Sequence, residues 1–246
     1  MLRHCGRKRT FQHNLRLAIL LSTTAGIINV AGFIAFSIFT TNVTGHVAQA
    51  AKEISDSNWY FAKIIALWMF LFMLGAFFSS ILINFWGKLN PRFSHSIPLF
   101  IEAFILFYVG YIGQHIEQSN DRDHFLAGSL LFAMGMQNAM VSVVSGFVVR
   151  TTHLTGLFTD LGIEFARLFS IKKEEKAELN KKIILHSSIV IMFIVGGVIG
   201  GISFHHLKYK TFILACTLLI IALFYDSMRI GIYKLQRKIR THYHYK

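Results

Sequence analysis

Six long stretches of this chain are apolar with little or no internal charge: 15–39, 59–86, 97–113, 124–149, 183–204 and 211–228. A helix needs about 20 apolar residues to cross roughly 30 Å of hydrocarbon, and a soluble domain cannot hide six such helices. Composition agrees, with 54% hydrophobic and 15% charged residues and a mean hydropathy of +0.51, whereas soluble domains carry about 25% charge. Twenty-four Phe beside two Pro suit long uninterrupted helices. Trp59, Tyr60, Trp86 and Tyr225 stand near run ends, as interfacial anchors do. The first run is too long for a secretory h-region of about 7–15 residues. The expected fold is an all-α membrane protein with six transmembrane helices, a basic N-terminus at 1–14, a membrane domain at 15–228 and a basic tail at 229–246.

Lys and Arg orient the spans. Of the 25, twenty fall in alternate segments: the N-terminal end as far as Arg16 at the start of the first run, the stretch at Lys88 and Arg92, the segment 150–182 and the tail. Four fall in the other segments (Lys52, Arg122, Lys208, Lys210), and Lys63 lies within the second run. The positive-inside rule then places both termini in the cytoplasm, as for a multi-pass protein of a bacterial inner membrane. The net charge of +13 is accounted for by the same bias, facing anionic lipid. The tail residues Lys234, Arg237, Lys238 and Arg240 read as a lipid-facing or solvated segment, not a nucleic-acid site. Cys5 and Cys216 are expected to form neither a disulfide nor a metal site.

The chain repeats itself. Thr40-Thr41-Asn42-Val43-Thr44-Gly45 after the first run matches Thr151-Thr152-His153-Leu154-Thr155-Gly156 after the fourth, at a spacing of 111. Gly26 to Val30 parallels Gly135 to Ala139 at a spacing of 109, and Gly75 to Ser80 parallels Gly196 to Gly201 at 121. The third and sixth runs show no clear likeness. Repeats at 15–116 and 124–228 hold three spans each, so the second copy is expected upside down relative to the first, each with a Thr-Gly break after its first helix. Inverted-topology repeats recur in secondary transporters, because two equivalent halves supply states open to opposite sides.

Candidate site residues follow from polarity inside apolar surroundings. The motif residues Thr40, Thr41, Thr44, Gly45, Thr151, Thr152, Thr155 and Gly156 put hydroxyls at i, i+1 and i+4, two of them on one helix face. An unwound backbone there would offer carbonyls to a cation, and a following helix start would offer N–H groups to an anion. The plainer expectation is that Thr caps the next helix and Gly permits a turn. The segments after the motifs, 48–54 and 157–169, are too short to span and are expected to be re-entrant or interfacial; the second carries Asp160. Asn29, Gln137 and Asn138 are further candidates, Asn29 and Asn138 at matching repeat positions where they would bond across a central interface or meet a ligand. Glu102, near the middle of the third run, is a costly carboxyl that would serve as a coupling site or cation ligand. Asp226 is expected to pair with Arg229. Gly75, Ala76, Ser79, Ser80 and Gly196, Gly197, Gly200, Gly201 form small-residue faces for close packing, within one chain or between copies in a homo-oligomer.

These residues resemble the YoaK-like membrane proteins of bacteria. The likeness rests on the Thr-Gly motif after the first span and on Gly135, Gln137, Asn138 and Ala139, followed by Arg150, Thr151, Thr152, Thr155, Gly156, Thr159 and Asp160. It covers most of the chain. Members often carry Asp where this chain has Asn29. The resemblance implies an inner-membrane protein and brings no activity with it. The expected function is a small secondary transporter or permease for a small solute or ion, with a non-transporting scaffold or assembly protein as the alternative. No catalytic or cofactor-binding pattern is expected, since His-Glu-x-x-His, Gly-x-Ser-x-Gly and Cys/His clusters are missing from the sequence.

Overall fold

A backbone in hydrocarbon must satisfy its own N–H and C=O groups, which makes the apolar runs helical. The computed structural model describes residues 10–89 and 94–224, residue 222 excepted. They form α1 (Phe11–Phe36), α2 (Val43–Ser55), α3 (Trp59–Leu89), α4 (Ser96–His115), α5 (Asn120–Ser145), α6 (Leu154–Arg167), α7 (Lys173–Leu207) and α8 (Lys210–Ile221). Five of these (α1, α3, α4, α5 and α7) are long and apolar enough to cross a membrane. The sixth expected run supplies the shorter α8, and part of it lies outside the described residues. So do Cys5, the expected Asp226–Arg229 pair and the basic tail.

Local signals set the helix ends. Ser119 caps α5 by accepting the Arg122 N–H at 3.3 Å, and Asp121 and Asp123 place negative charge in its first turn, where the helix dipole favours it. Ser37 after α1 and Gly146 after α5 both adopt left-handed backbone, with φ of 58° and 66°. This conformation stops a helix and turns the chain away.

The central pair is α1 and α5, each with 67% of its apolar window buried, against 22% for α3 and 39% for α7. They run antiparallel: Gln137 Nε2 donates to the Leu21 carbonyl at 2.9 Å, while Gly32 lies beside Leu130. Outside them, α7 packs along α1 and α3 along α5, and these are the two most extensive contacts among helices α1 to α7. Both depend on glycine. A Cβ on Gly26 would overlap the Phe193 carbonyl of α7, and one on Gly196 would overlap the Thr23 carbonyl of α1. In the other pair, Gly135 sits against the Phe72 carbonyl and Gly75 against the Phe132 carbonyl. The small-residue faces on α3 and α7 are therefore filled within the chain. Lipid tails are as apolar as Leu, so such close backbone approach, not apolar burial, holds helices together in a bilayer.

The remaining helices close the ends. Gly110 and Gly113 of α4 meet Tyr209 beside α8. Arg122 donates to Asp123 and to the Tyr209 hydroxyl at 3.0 Å and lies 5.3 Å from the centre of that ring. The short helices lie against the outer long ones, α2 on α3 and α6 on α7, the second joined by Glu164 and His186 at 3.1 Å. Large apolar side chains such as Phe70, Phe77, Phe85, Phe100, Phe104 and Ile194 stay exposed on the periphery, the surface expected to face lipid.

Replacing Gly135 with Ala should destabilise the protein by about 1–3 kcal/mol, because the added methyl forces two helix backbones apart. The control Gly162→Ala adds a methyl to open space on α6 and should stabilise by up to about 1 kcal/mol. Thermal unfolding of both variants in the same detergent checks the pair. Equal melting temperatures would remove the close-approach account.

Candidate functional site

The two Thr-Thr-x-x-Thr-Gly segments meet at one cavity of about 420 Å³. The first segment lines it with Thr41, Asn42, Val43 and Thr44, and the second with Thr152, His153, Leu154 and Thr155. These are the same four places of the motif in its two copies. Phe72 of α3, Asn138 and Ser142 of α5, and Phe147 and Arg150 of the α5–α6 connection complete the wall.

Both segments carry the same alternation of burial: Thr40 and Thr151 buried, Thr41 and Thr152 half-buried, Asn42 and His153 exposed, Thr44 and Thr155 exposed, His46 and Leu157 buried. Each is an irregular stretch that ends in a helix start at Val43 or Leu154. The first two Thr of each copy are thus not on a helix, contrary to the expectation that i and i+4 hydroxyls share a helical face. Nor does Thr cap the following helix. The N-cap of α2 is Asn42, whose Oδ1 accepts the Gly45 N–H at 3.0 Å. The N-cap of α6 is His153, which makes no side-chain cap bond. The motif glycines have a shared reason: a Cβ on Gly45 would press on the Asn42 side chain, and one on Gly156 on the His153 ring. The capping-position side chain folds over its glycine in both copies.

Asn29 sets the depth of the first segment. Its Oδ1 accepts both the Thr41 N–H at 3.1 Å and the Thr41 hydroxyl at 2.9 Å. Asn29 lies two turns before the end of α1 at Phe36, about 10 Å at roughly 1.5 Å per residue. The chain therefore leaves α1, turns at Ser37 and folds back along it before α2 begins. An Asp at this position would supply the same acceptor, so the chain's departure from Asp leaves the latch in place. The second segment is held differently, by Ser145 Oγ accepting the Val149 N–H at 2.9 Å. Asn29 and Asn138 do not bond each other. The Asn138 amide makes no hydrogen bond among the described residues and faces the cavity.

Other candidates fall elsewhere. Gln137 lies behind the cavity wall, tying α5 to α1 through Leu21. Asp160 is exposed on α6 and does not line the cavity. Glu102 is fully buried on α4, and neither of its oxygens has a partner among the described residues. The structure does not bring it to the cavity that Thr44 and Thr155 line.

Phe72, Ser142 and Phe147 are lining residues with no sequence signal, since a Phe or Ser among so many says nothing about the direction it faces. Arg150 carried a signal in its place beside the motif.

Asn29→Ala would leave two donors of Thr41 without their acceptor and should cost about 1–3 kcal/mol, whereas Asn29→Asp should retain most of that stability. Melting temperatures of the two variants, compared in one detergent, test the latch. If the alanine and aspartate variants melt alike, Asn29 does not hold the loop.

No curated protein is detectably similar to this chain, and no solved structure is either. The family model described as "Protein of unknown function (DUF1275)" matches residues 17–225. With that match over most of its length and five helices able to span a bilayer, this polytopic membrane protein belongs to the DUF1275 family.

Proposed function

We propose that the protein is a small secondary transporter or permease, built from two inverted three-span repeats and moving a small solute or ion through the cavity between its Thr-Gly segments. The observation that carries this reading is the meeting of both motif copies, at equivalent positions, around one cavity beside antiparallel central helices. Substrate sites of inverted-repeat transporters lie at such repeat interfaces, where discontinuous helices present their ends.

Helix contacts support the same symmetry. The Gly26–Phe193 approach has its counterpart in Gly135–Phe72, and Gly196–Thr23 in Gly75–Phe132. Residues of α1 map to α5 by 109 and residues of α3 to α7 by 121, the spacings of the sequence repeat. Ser37 and Gly146, both left-handed, are 109 apart as well. A pseudo-two-fold axis in the membrane plane would generate these pairs, and small tilts of one half against the other would open the cavity to alternate sides. In this reading the protein sits in a bacterial inner membrane with six spans and both termini cytoplasmic. The scaffold alternative drew on the small-residue faces, which are occupied inside the chain, and on the basic tail, which lies outside the described residues.

Charge movement on solute concentration jumps, recorded with proteoliposomes on a solid-supported membrane, tests the proposal. At least one solute in a panel of small ions and metabolites should give a signal with the parent. Thr44→Val combined with Thr155→Val should reduce that signal roughly tenfold or more, the loss expected from about 1.4 kcal/mol or more of ligand contacts, without loss of folding. Silence across the panel from folded parent protein would overturn the transport reading.

A further inference from the structure

The cavity has a charge preference built into its wall. Arg150 is its one formally charged lining residue, and no carboxylate lines it. Arg150 makes no ion pair or hydrogen bond among the described residues. The nearby acids on α6 are placed elsewhere, Glu164 against His186 and Asp160 exposed beyond the wall. The first turns of α2 and α6 both reach the cavity through Val43, Thr44, Leu154 and Thr155. Helix starts carry unsatisfied N–H groups and the positive end of the helix dipole. In α2 the Asn42 side chain takes the Gly45 N–H, but α6 has no side-chain cap. The Thr151 hydroxyl, between two lining residues, is fully buried without a partner.

The rest of the wall is mixed. Four Thr hydroxyls and the Asn42 and Asn138 amides alternate with Phe72, Phe147, Val43 and Leu154. An inorganic ion would leave those apolar surfaces facing water. A volume of about 420 Å³ is toward the small end of small-molecule sites, which run about 300–1,000 Å³.

We propose that the cavity takes a small organic carboxylate, its negative end toward Arg150 and the α6 helix start and its carbon chain against the Phe walls. This deepens the transporter reading and rests on it. Arg supplies a planar fork that matches a carboxylate. Thr and Asn groups complete the hydrogen bonding of the carboxylate oxygens.

The test uses the full chain with Cys5→Ser and Cys216→Ala, carrying Thr155→Cys in the cavity wall. Its reaction with an anionic thiol reagent, sulfonatoethyl methanethiosulfonate, is compared with that of the cationic trimethylammonioethyl reagent. Both rates are normalised to those with a free thiol. The anion should react at least roughly tenfold faster, as field focusing in a charged cleft predicts. Arg150→Gln should bring the ratio close to unity, with thermal unfolding reporting that the variant is folded. Short carboxylates from acetate to hexanoate should protect the cysteine, while butylammonium and butyramide should not. Preference for the cationic reagent, an anion preference that survives Arg150→Gln, or failure of every carboxylate to protect would overturn the proposal. If these occur while solute-driven charge movement persists, only the carboxylate assignment falls. If neither reagent reaches the cysteine in folded protein, the cavity is closed to solutes and the transporter reading falls with it.

Discussion

Backbone-to-backbone contact at four glycines is the constraint on which the rest of this fold depends. Gly26 and Gly196 let α1 and α7 touch, and Gly75 and Gly135 do the same for α3 and α5. In lipid there is little gain from hiding apolar side chains, so dispersion between closely fitted helix surfaces must hold the bundle together. The two tight pairs then stand side by side through the looser contact of α1 with α5. The cavity lies against the second of these pairs, through Phe72 of α3 and Asn138 and Ser142 of α5.

The cavity is lined by two irregular segments that interrupt the chain between helices, the first of them folded back along α1. Left-handed residues at Ser37 and Gly146 end the preceding helices, and Asn29 holds Thr41 well inside the bundle. Non-helical backbone buried in a protein must find its hydrogen-bond partners in protein or water. Here the Asn29 amide satisfies the first loop and Ser145 part of the second. Polar groups left over, among them the Asn138 amide and the Thr44 and Thr155 side chains, face the cavity.

Glu102 shows how a strong sequence signal can mislead about place. A carboxyl in the middle of an apolar run invites a functional reading, yet this one is fully buried on α4 and is no part of the wall where the two loops meet. The hydroxyls of Thr40 and Thr151 show the opposite case. They belong to the motif but turn inward and are buried, while their neighbours at Thr41 and Thr152 line the wall. Sequence spacing ranked all of these alike, since it carries no information about which way an irregular backbone turns.

Runs of apolar residues, the scarcity of internal charge and the Lys and Arg bias were sufficient to determine a polytopic helical membrane protein. Hydrocarbon accepts only satisfied backbones of a certain length, so this much is local physics. The repeated Thr-Thr-x-x-Thr-Gly motif was legible too, as was the presence of close-packing faces. Whether those faces met another copy or the same chain was decided by tertiary structure, because a glycine stripe fits any smooth helix offered to it. The convergence of two motifs far apart in the chain was likewise decided by the antiparallel placement of α1 and α5 and the Asn29 latch. Cavities arise from distances between elements, and a sequence read one window at a time contains no such distances.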